Sequence, residues 1–315
     1  MFLMDKRIYN DVMIENLRHH LDYGSARYIT YPKFVFLCGK AFSKEEYPSS
    51  NRGIIEKYLK RNAKRVFIVL SESLWEDSFD ASIDLLTFEE FLAEVSDSII
   101  LFVESPGSFC ELGAFSYANE LFSSKLIIVI DEKYRNDKSF IMTGPVKKAE
   151  IDKATIVYAH LNGTGLLSSA NLIRVIDAKA AELSVKGGKL NRRIPNMDQS
   201  HVLVNSFILE LLELIRLVQP VLRKDLVELY KTIKGFMSFT FVKSNGKPFH
   251  NEIKLDYILK LLSTVGLINI DESNLIRFTG SERCQPLMFS FTDHAENRER
   301  SRLLCRRYRY RSDVT

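Results

Sequence analysis

Four short apolar runs, each closed by small or acidic residues, constrain this chain more than anything else in it. They are FVFLCG at residues 34 to 39, VFIVL at 66 to 70, Ile99 to Val103, and Leu126 to Ile130. Such runs read as strands of a parallel sheet buried on both faces. Between them, Ile54, Ile55, Tyr58 and Leu59, and later Phe88, Phe91, Leu92 and Val95, recur at helical spacing. Strand and helix in alternation predict an α/β fold, a doubly wound parallel sheet. Ligands of such sheets enter at the carboxyl ends of the strands, so chemistry is expected at Gly39-Lys40, Ser71-Glu72, Glu104 to Glu111, and Asp131-Glu132.

A chain of 315 residues with 46% hydrophobic content has room for two cores. Residues 184 to 200, SVKGGKLNRRIPNMDQS, are basic, glycine-containing and aperiodic, which reads as a linker. Beyond it, apolar residues repeat helically from Val202 to Val218, from Leu222 to Ile233 and from Ile253 to Leu262. LINI and LIRFT then flank the polar turn DESN. Three helices followed by a hairpin is the layout of a smaller winged helix-turn-helix domain.

The net charge of +4 is unevenly spread, with seven arginines from Arg298 to Arg311. A polyanionic partner at that end is expected. Cys38, Cys110, Cys284 and Cys305 form no CxxC pair, and the histidines lack ligand spacing, so neither a disulfide framework nor a metal site is expected. No apolar run approaches the roughly 20 residues needed to span a bilayer. The expected setting is the cytoplasm, away from membranes.

Residues 104 to 121, ESPGSFCELGAFSYANEL, combine a strand end, a glycine turn and a helix start carrying Glu111. Gly107 would let the backbone approach a ligand, and the amides of Gly107, Ser108 and Phe109 would bind an anion at the helix start. Gly113 and Ala114 would seat that helix closely on the sheet. A carboxylate at position 111 beside a sugar can attack the anomeric carbon or stabilise an oxocarbenium-like transition state. It can equally be a first-turn acid that favours the helix dipole. Asp97 or Glu104 would hydrogen-bond a base, and Lys40 a phosphate.

LCGKAF near the N-terminus, Ser96-Asp97 ahead of the third run, and PGSFCELGAF together resemble the nucleoside 2-deoxyribosyltransferase-like family over roughly residues 30 to 135. That resemblance implies a nucleophilic glutamate at Glu111, a base contact at Asp97, and a pocket contribution from Gly39. The acidic loop of the family is replaced here by Ser105-Pro106-Gly107-Ser108 after Glu104, which leaves base specificity open. Joined to a winged helix, the chain resembles effectors encoded beside bacterial retrons. The likeness implies a catalytic domain at 1–185, a linker at 186–200, a DNA-binding winged helix at 201–295 and a basic tail at 296–315. It also implies a toxic effector of antiphage defence that hydrolyses NAD as substrate, needs no cofactor, self-associates, and is held by a reverse transcriptase with its multicopy single-stranded DNA. A nucleoside deoxyribosyltransferase, or a DNA-binding regulator that senses a nucleotide without cleaving it, remain the alternatives.

For nucleic acid, the expected contacts are Lys247, His250, Asn251 and Lys254 near the start of the third helix, with Lys243 reaching a phosphate. Arg306, Arg307 and Arg309 interleave with Tyr308 and Tyr310 and add phosphate and stacking contacts.

Overall fold

The structure, a computed structural model, describes residues 27–28, 32–63, 66–75, 83–118, 122, 124–163, 165–184, 188–189 and 200–279. The chain divides into two compact units, Pro32–Val185 and a second that joins Met1–Tyr31 to Lys186–Thr315.

In the first unit the order is β1 (Lys33–Cys38), α1 (Asn51–Asn62), β2 (Val66–Val69), α2 (Ser71–Trp75), α3 (Leu85–Val95), β3 (Ser98–Val103), α4 (Pro106–Ala118), β4 (Leu126–Asp131), α5 (Lys147–Ile151), β5 (Thr155–Ala159) and α6 (Ala170–Leu183). The strands form one parallel sheet in the order β2-β1-β3-β4-β5. All four apolar runs are strands, within a residue of their expected ends. The fifth strand, TIVYA, was not anticipated, because its exposed start and half-buried Ile156 and Tyr158 break the apolar run.

One face of the sheet, through Val35, Leu37, Ile100, Phe102, Val129 and Val157, is sealed by Ile55 and Leu59 of α1 and by Leu172, Ile176 and Ala180 of α6. On the other face, Phe115 of α4 meets Phe36 of β1 edge-on at 6.3 Å. Phe36, Leu37, Ile55 and Phe102 are completely buried, and each such side chain contributes about 1.5–3 kcal/mol. Since α1 follows β1 and α4 follows β3, neighbouring strands send their chains to opposite faces. The gap between β1 and β3 is the topological switch point, where a crevice opens at the carboxyl ends.

The start of α1 is held tightly. The Ser50 hydroxyl accepts from the Gly53 amide at 3.0 Å, and a single 3-10 turn, Tyr47–Ser49, folds over the first helical turn. A Cβ on Gly53 would lie 2.0 Å from the Tyr47 carbonyl oxygen. By contrast, a Cβ on Gly113 would meet nothing within 4 Å, so close packing of α4 on the sheet does not explain that glycine.

The second unit holds β6 (His201–Leu203), α7 (Val204–Val218), β7 (Val221–Leu222), α8 (Arg223–Lys234), β8 (Thr240–Val242), α9 (Leu255–Thr264), β9 (Ile268–Ile270) and β10 (Leu275–Phe278). All three expected helices form. β9 and β10 make the expected hairpin, and β7 adds a third antiparallel strand beside β10. β8 pairs in parallel with β6. β6, β7 and β8 were not anticipated, being two or three residues long and two of them flush against helices. Inside the unit, Phe207 packs on Tyr230 and Phe241 at 4.8 and 4.7 Å, while the Tyr230 hydroxyl donates to buried Glu210 at 2.7 Å. Of the expected linker, Gly188–Lys189 pairs antiparallel with Arg27–Tyr28, and residues 190–199 lie outside the described residues. No helix among the described residues is long and apolar enough to cross a membrane.

Gly53→Ala should lower the thermal midpoint by roughly 6 °C or more, because the Tyr47 carbonyl must move. Gly113→Ala should leave it unchanged or raise it slightly, through helix propensity worth about 0.5–1 kcal/mol. Calorimetry on the two variants checks both.

Candidate functional site

Segments that follow the strands converge at the switch point. Gly39, just after β1, adopts φ +146°, and a Cβ there would press on Phe102 at 3.2 Å and on the Glu104 carboxylate at 3.3 Å. Only glycine fits without strain. Glu104, just after β3, accepts from the Asn51 side chain at 2.6 Å and from the Lys40 backbone. The side-chain oxygen of Asn51 accepts from the Gly163 amide at 3.2 Å, tying the first turn of α1 to the loop after β5. Burial raises the pKa of Glu104, against the lowering pull of Asn51.

Beside this pair lies a cavity of about 490 Å³. Its walls include Lys40, Phe42, Asn51, Glu104, Asp131 and Tyr134, so carboxylates, an amide, a lysine and aromatic rings all face one space. That mixture suits a ligand with an aromatic ring and several hydroxyl or phosphate oxygens.

Glu111, in the second turn of α4, does not line that cavity. It stands across Gly39 from Glu104 and accepts a hydrogen bond from the Gly39 backbone. Three more charged groups surround it: Arg52 of α1, Glu72 of α2 and Glu89 of α3. Arg52 is 2% exposed; its guanidinium pairs with Glu72 at 2.7 Å and donates to the Lys40 carbonyl. Burial, and then the negative charge of Glu89, push Glu111 up to about 8, with Arg52 pulling the other way. Burial likewise lifts Glu89 to about 7, although a hydrogen bond from Ser71 opposes it. The thiol of Cys38 at the end of β1 is also pushed well up, by burial and by Glu111.

Buried polar atoms without partners gather at this end of the sheet. Among the described residues they include Arg52 Nε, Glu72 Oε2, Glu104 Oε1 and Glu111 Oε2. A native fold leaves few such atoms, and a cluster of them marks a place where a ligand or water completes the bonding.

Several expected placements need correction. Asp97 sits at the amino end of β3, accepting from the Phe34 amide at 3.0 Å and pairing with Lys33 at 2.7 Å. Six residues of strand, roughly 20 Å, separate it from the crevice, so it pins β1 to β3 and contacts no ligand there. Ser108 is fully buried, and its hydroxyl accepts from the Glu104 and Ser105 amides. The Ser108 amide donates to Ser105 Oγ and the Phe109 amide to the Ser105 carbonyl, so two of the three amides of the expected anion nest are taken up by the capping of α4. Gly107 is exposed, and a Cβ there would meet only Ser105 Oγ at 3.9 Å. Gly39, Lys40, Glu104 and Glu111 are brought together as expected.

Sequence reasoning missed Asn51, Arg52 and Glu89 altogether and named Glu72 only as part of a strand tail. A helix-start asparagine and arginine directly after a serine cap were the available signal for the first two.

In the second unit, Lys247, His250 and Asn251 precede α9, which starts at Leu255, two residues later than the expected Ile253. Gly246 at φ +79° and the Lys243–Lys247 turn form a tight loop, Pro248 bridges back to Val242, and buried Ile253 keeps the chain extended until the helix starts at Leu255. Only Lys254 abuts the helix, at its N-cap position. Lys243 sits at the base of the loop, with its ammonium 5.9 Å from the Phe249 ring. Arg306, Arg307 and Arg309 lie outside the described residues. No metal-holding cluster of histidine, cysteine or acidic residues occurs among the described residues.

The raised Glu111 pKa has a consequence for stability that needs no substrate. Between the unfolded value near 4.5 and about 8, the folded protein holds a proton that the unfolded chain has released, so stability falls as pH rises through that window. Glu111→Gln removes this penalty. Its thermal midpoint should exceed wild type by roughly 5 °C at pH 8.5 and converge with it near pH 4.5, as read by differential scanning fluorimetry.

Two curated Escherichia coli relatives resemble this chain. One, provisionally named a retron Ec73 ribosyltransferase/DNA-binding protein, is 40% identical over 119 residues, covering 36% of this chain and 37% of the relative. The other, the retron Ec86 protein of the same provisional name, is 36% identical over 146 residues, 46% of each. The chain thus matches less than half the length of either. A family model described as the STM3845 retron effector protein matches residues 48–270, from the turn ahead of α1 to the end of β9. With that match running through more than half of the sequence and into both compact units, the chain belongs to the STM3845 retron effector family.

Proposed function

We propose that this protein breaks the N-glycosidic bond of a nucleotide, with Glu111 as the reacting carboxylate and NAD as the substrate. The observation that carries the reading is the position of Glu111: at the β1–β3 switch point, against Gly39, with Oε2 buried and unpartnered beside Glu72, Glu89 and Arg52. The ribosyltransferase wording in the names of the two relatives supports the same bond class. So does the likeness of the ELG segment to the nucleoside deoxyribosyltransferase-like family, whose doubly wound domain we assign to residues 1–185.

In the proposed step, ionised Glu111 attacks C1′ of the ribose. The bond to the base breaks, its electron pair returning to the ring nitrogen and neutralising the positive charge of the nicotinamide. Water then hydrolyses the ribosyl ester and restores the carboxylate. A cationic leaving group needs no general acid. It also brings positive charge to a site crowded with carboxylates, which favours ionisation of Glu111. The nearby cavity, with Asn51-oriented Glu104, Lys40 and the aromatic rings, holds the rest of the nucleotide.

For the second unit we propose a winged helix that contacts nucleic acid. The three helices, the β9–β10 hairpin and the added strand β7 support it. Lys243, Lys247, His250 and Lys254 then approach phosphates from the loop before α9 and the helix N-cap. The exposed acid of α9, Asp256, is neutralised by Arg223 of α8 at 2.8 Å, which removes a repulsion on that face. In this reading the chain is a toxin of antiphage defence, restrained in a complex with a retron reverse transcriptase and its multicopy single-stranded DNA, and self-associating there.

Two measurements test these readings. Purified complex is incubated with NAD and, separately, with deoxynucleosides, and base release is followed by chromatography. Glu111→Gln should lose at least about 10³-fold of the activity while folding normally. Because ionised Glu111 is the active form, kcat/KM should climb with pH towards about 8. Base release by Glu111→Gln at the wild-type rate sinks the assignment, and binding without product in every condition favours a nucleotide sensor. The double variant Lys243→Ala/Lys247→Ala should bind single-stranded DNA more weakly and reduce the salt dependence of binding by about two ions, measured by fluorescence anisotropy.

A further inference from the structure

We infer that Arg52 is the positioning residue of this site: its buried guanidinium ties the turn after β1 to the start of α2 and is the counter-charge around which Glu72, Glu89 and Glu111 are set. The inference rests on the reading of Glu111 as the reacting carboxylate.

An arginine 2% exposed is expensive, since a buried charge destabilises by several kcal/mol unless it is paired and hydrogen-bonded. Nothing in the packing of α1 on the sheet asks for it: Ile55 and Leu59 make that contact. Arg52 instead points its fork into the crevice. There it takes the Glu72 carboxylate at 2.7 Å and the Lys40 carbonyl, with the Tyr47 ring centroid 5.7 Å from the guanidinium carbon. Burial opposes its charge, and the hydrogen bond and ion pair with Glu72 outweigh that. Arg52 therefore stays a cation.

One terminal nitrogen, Nη2, makes both contacts, so a single arm of the guanidinium joins the Glu72 carboxylate on α2 to the carbonyl after β1; a lysine ammonium keeps the charge on a shorter stem. The carbonyl that Arg52 holds belongs to Lys40, next to Gly39, whose backbone bonds Glu111. Arg52 thus fixes the turn that fixes Glu111, without touching the reacting bond.

The charges tell the same story. The groups acting on Glu111 are Glu89 from α3 and Glu72 from α2, which disfavour its ionised form, and Arg52 from α1 and the Gly39 backbone, which favour it. The buried Cys38 thiol completes the surroundings. Arg52 is the one cation in this set, opposite three carboxyl groups. Without it, Glu111 would ionise among like charges alone, and the form needed for attack would be rarer at any given pH.

Arg52→Gln, Arg52→Lys and wild type are compared by two readouts. One follows the Glu111 carboxyl by carbon-13 NMR of protein labelled at the glutamate carboxyl carbon, its signal identified by its loss in Glu111→Gln. The other is the pH profile of base release from NAD by the assembled complex. In Arg52→Gln the Glu111 midpoint and the rising limb of kcat/KM should both move up by about one pH unit, which lowers kcat/KM at pH 7 about tenfold. Arg52→Lys should recover part of both shifts. A folded Arg52→Gln protein with an unmoved Glu111 titration overturns the inference. Should Arg52→Gln fail to fold, Arg52→Met, which keeps the stem and removes the charge, decides by the same titration: an upward midpoint shift supports the role and an unmoved midpoint overturns it. If wild type releases no base from any nucleotide, the proposed function falls, while the NMR titration still settles Arg52.

Discussion

The structure depends on the side-by-side pairing of β1 and β3, whose chains then leave for opposite faces of the sheet. Val35 to Cys38 of β1 run in register beside Ser98 to Leu101 of β3, locked at the far end by Asp97 holding the Phe34 amide and Lys33. That pairing places Gly39 against Phe102 and Glu104, and it brings the first turn of α1 and the second turn of α4 to the same crevice from two sides. A helix following each strand on the same face would close the gap. The candidate site of this unit sits in the opening that the strand order creates.

Two environments share the opening. On one side of Gly39, Glu104 and Asn51 line a cavity that is polar, aromatic and accessible. On the other, Glu72, Glu89, Glu111 and Arg52 make a buried group of charges whose bonding is incomplete. The division suits a ligand that is gripped in one place and altered in the next. Asn51 and Arg52 are consecutive, so the single N-terminal turn of α1, clamped by Ser50 and roofed by Tyr47, serves both sides.

Much of the fold was legible because parallel strands buried on both faces are continuous apolar runs, and β1 to β4 are of that kind. β5 is an edge strand with exposed and half-buried positions, and β6 to β8 are too short to leave a period. Glu111 and Glu104 were legible from the ELG segment and its strand end. Arg52 and Glu89 were not: in NRGIIEKYLKRN and LLTFEEFLAEV they look like ordinary helix-surface charges, and only the strand order turns them inwards. Asp97 was misplaced for a related reason. An aspartate directly ahead of a strand is near the crevice in sequence but a full strand length from it in space.

Glu111 and Glu89, lifted to about 8 and about 7, also make the crevice a store of protons. A ligand carrying positive charge would expel them into the solvent on binding, whereas an uncharged nucleoside would leave them in place. The heat of binding would therefore change with the ionisation enthalpy of the buffer for the first kind of ligand and not for the second. The crevice in this way reports the charge of what enters it.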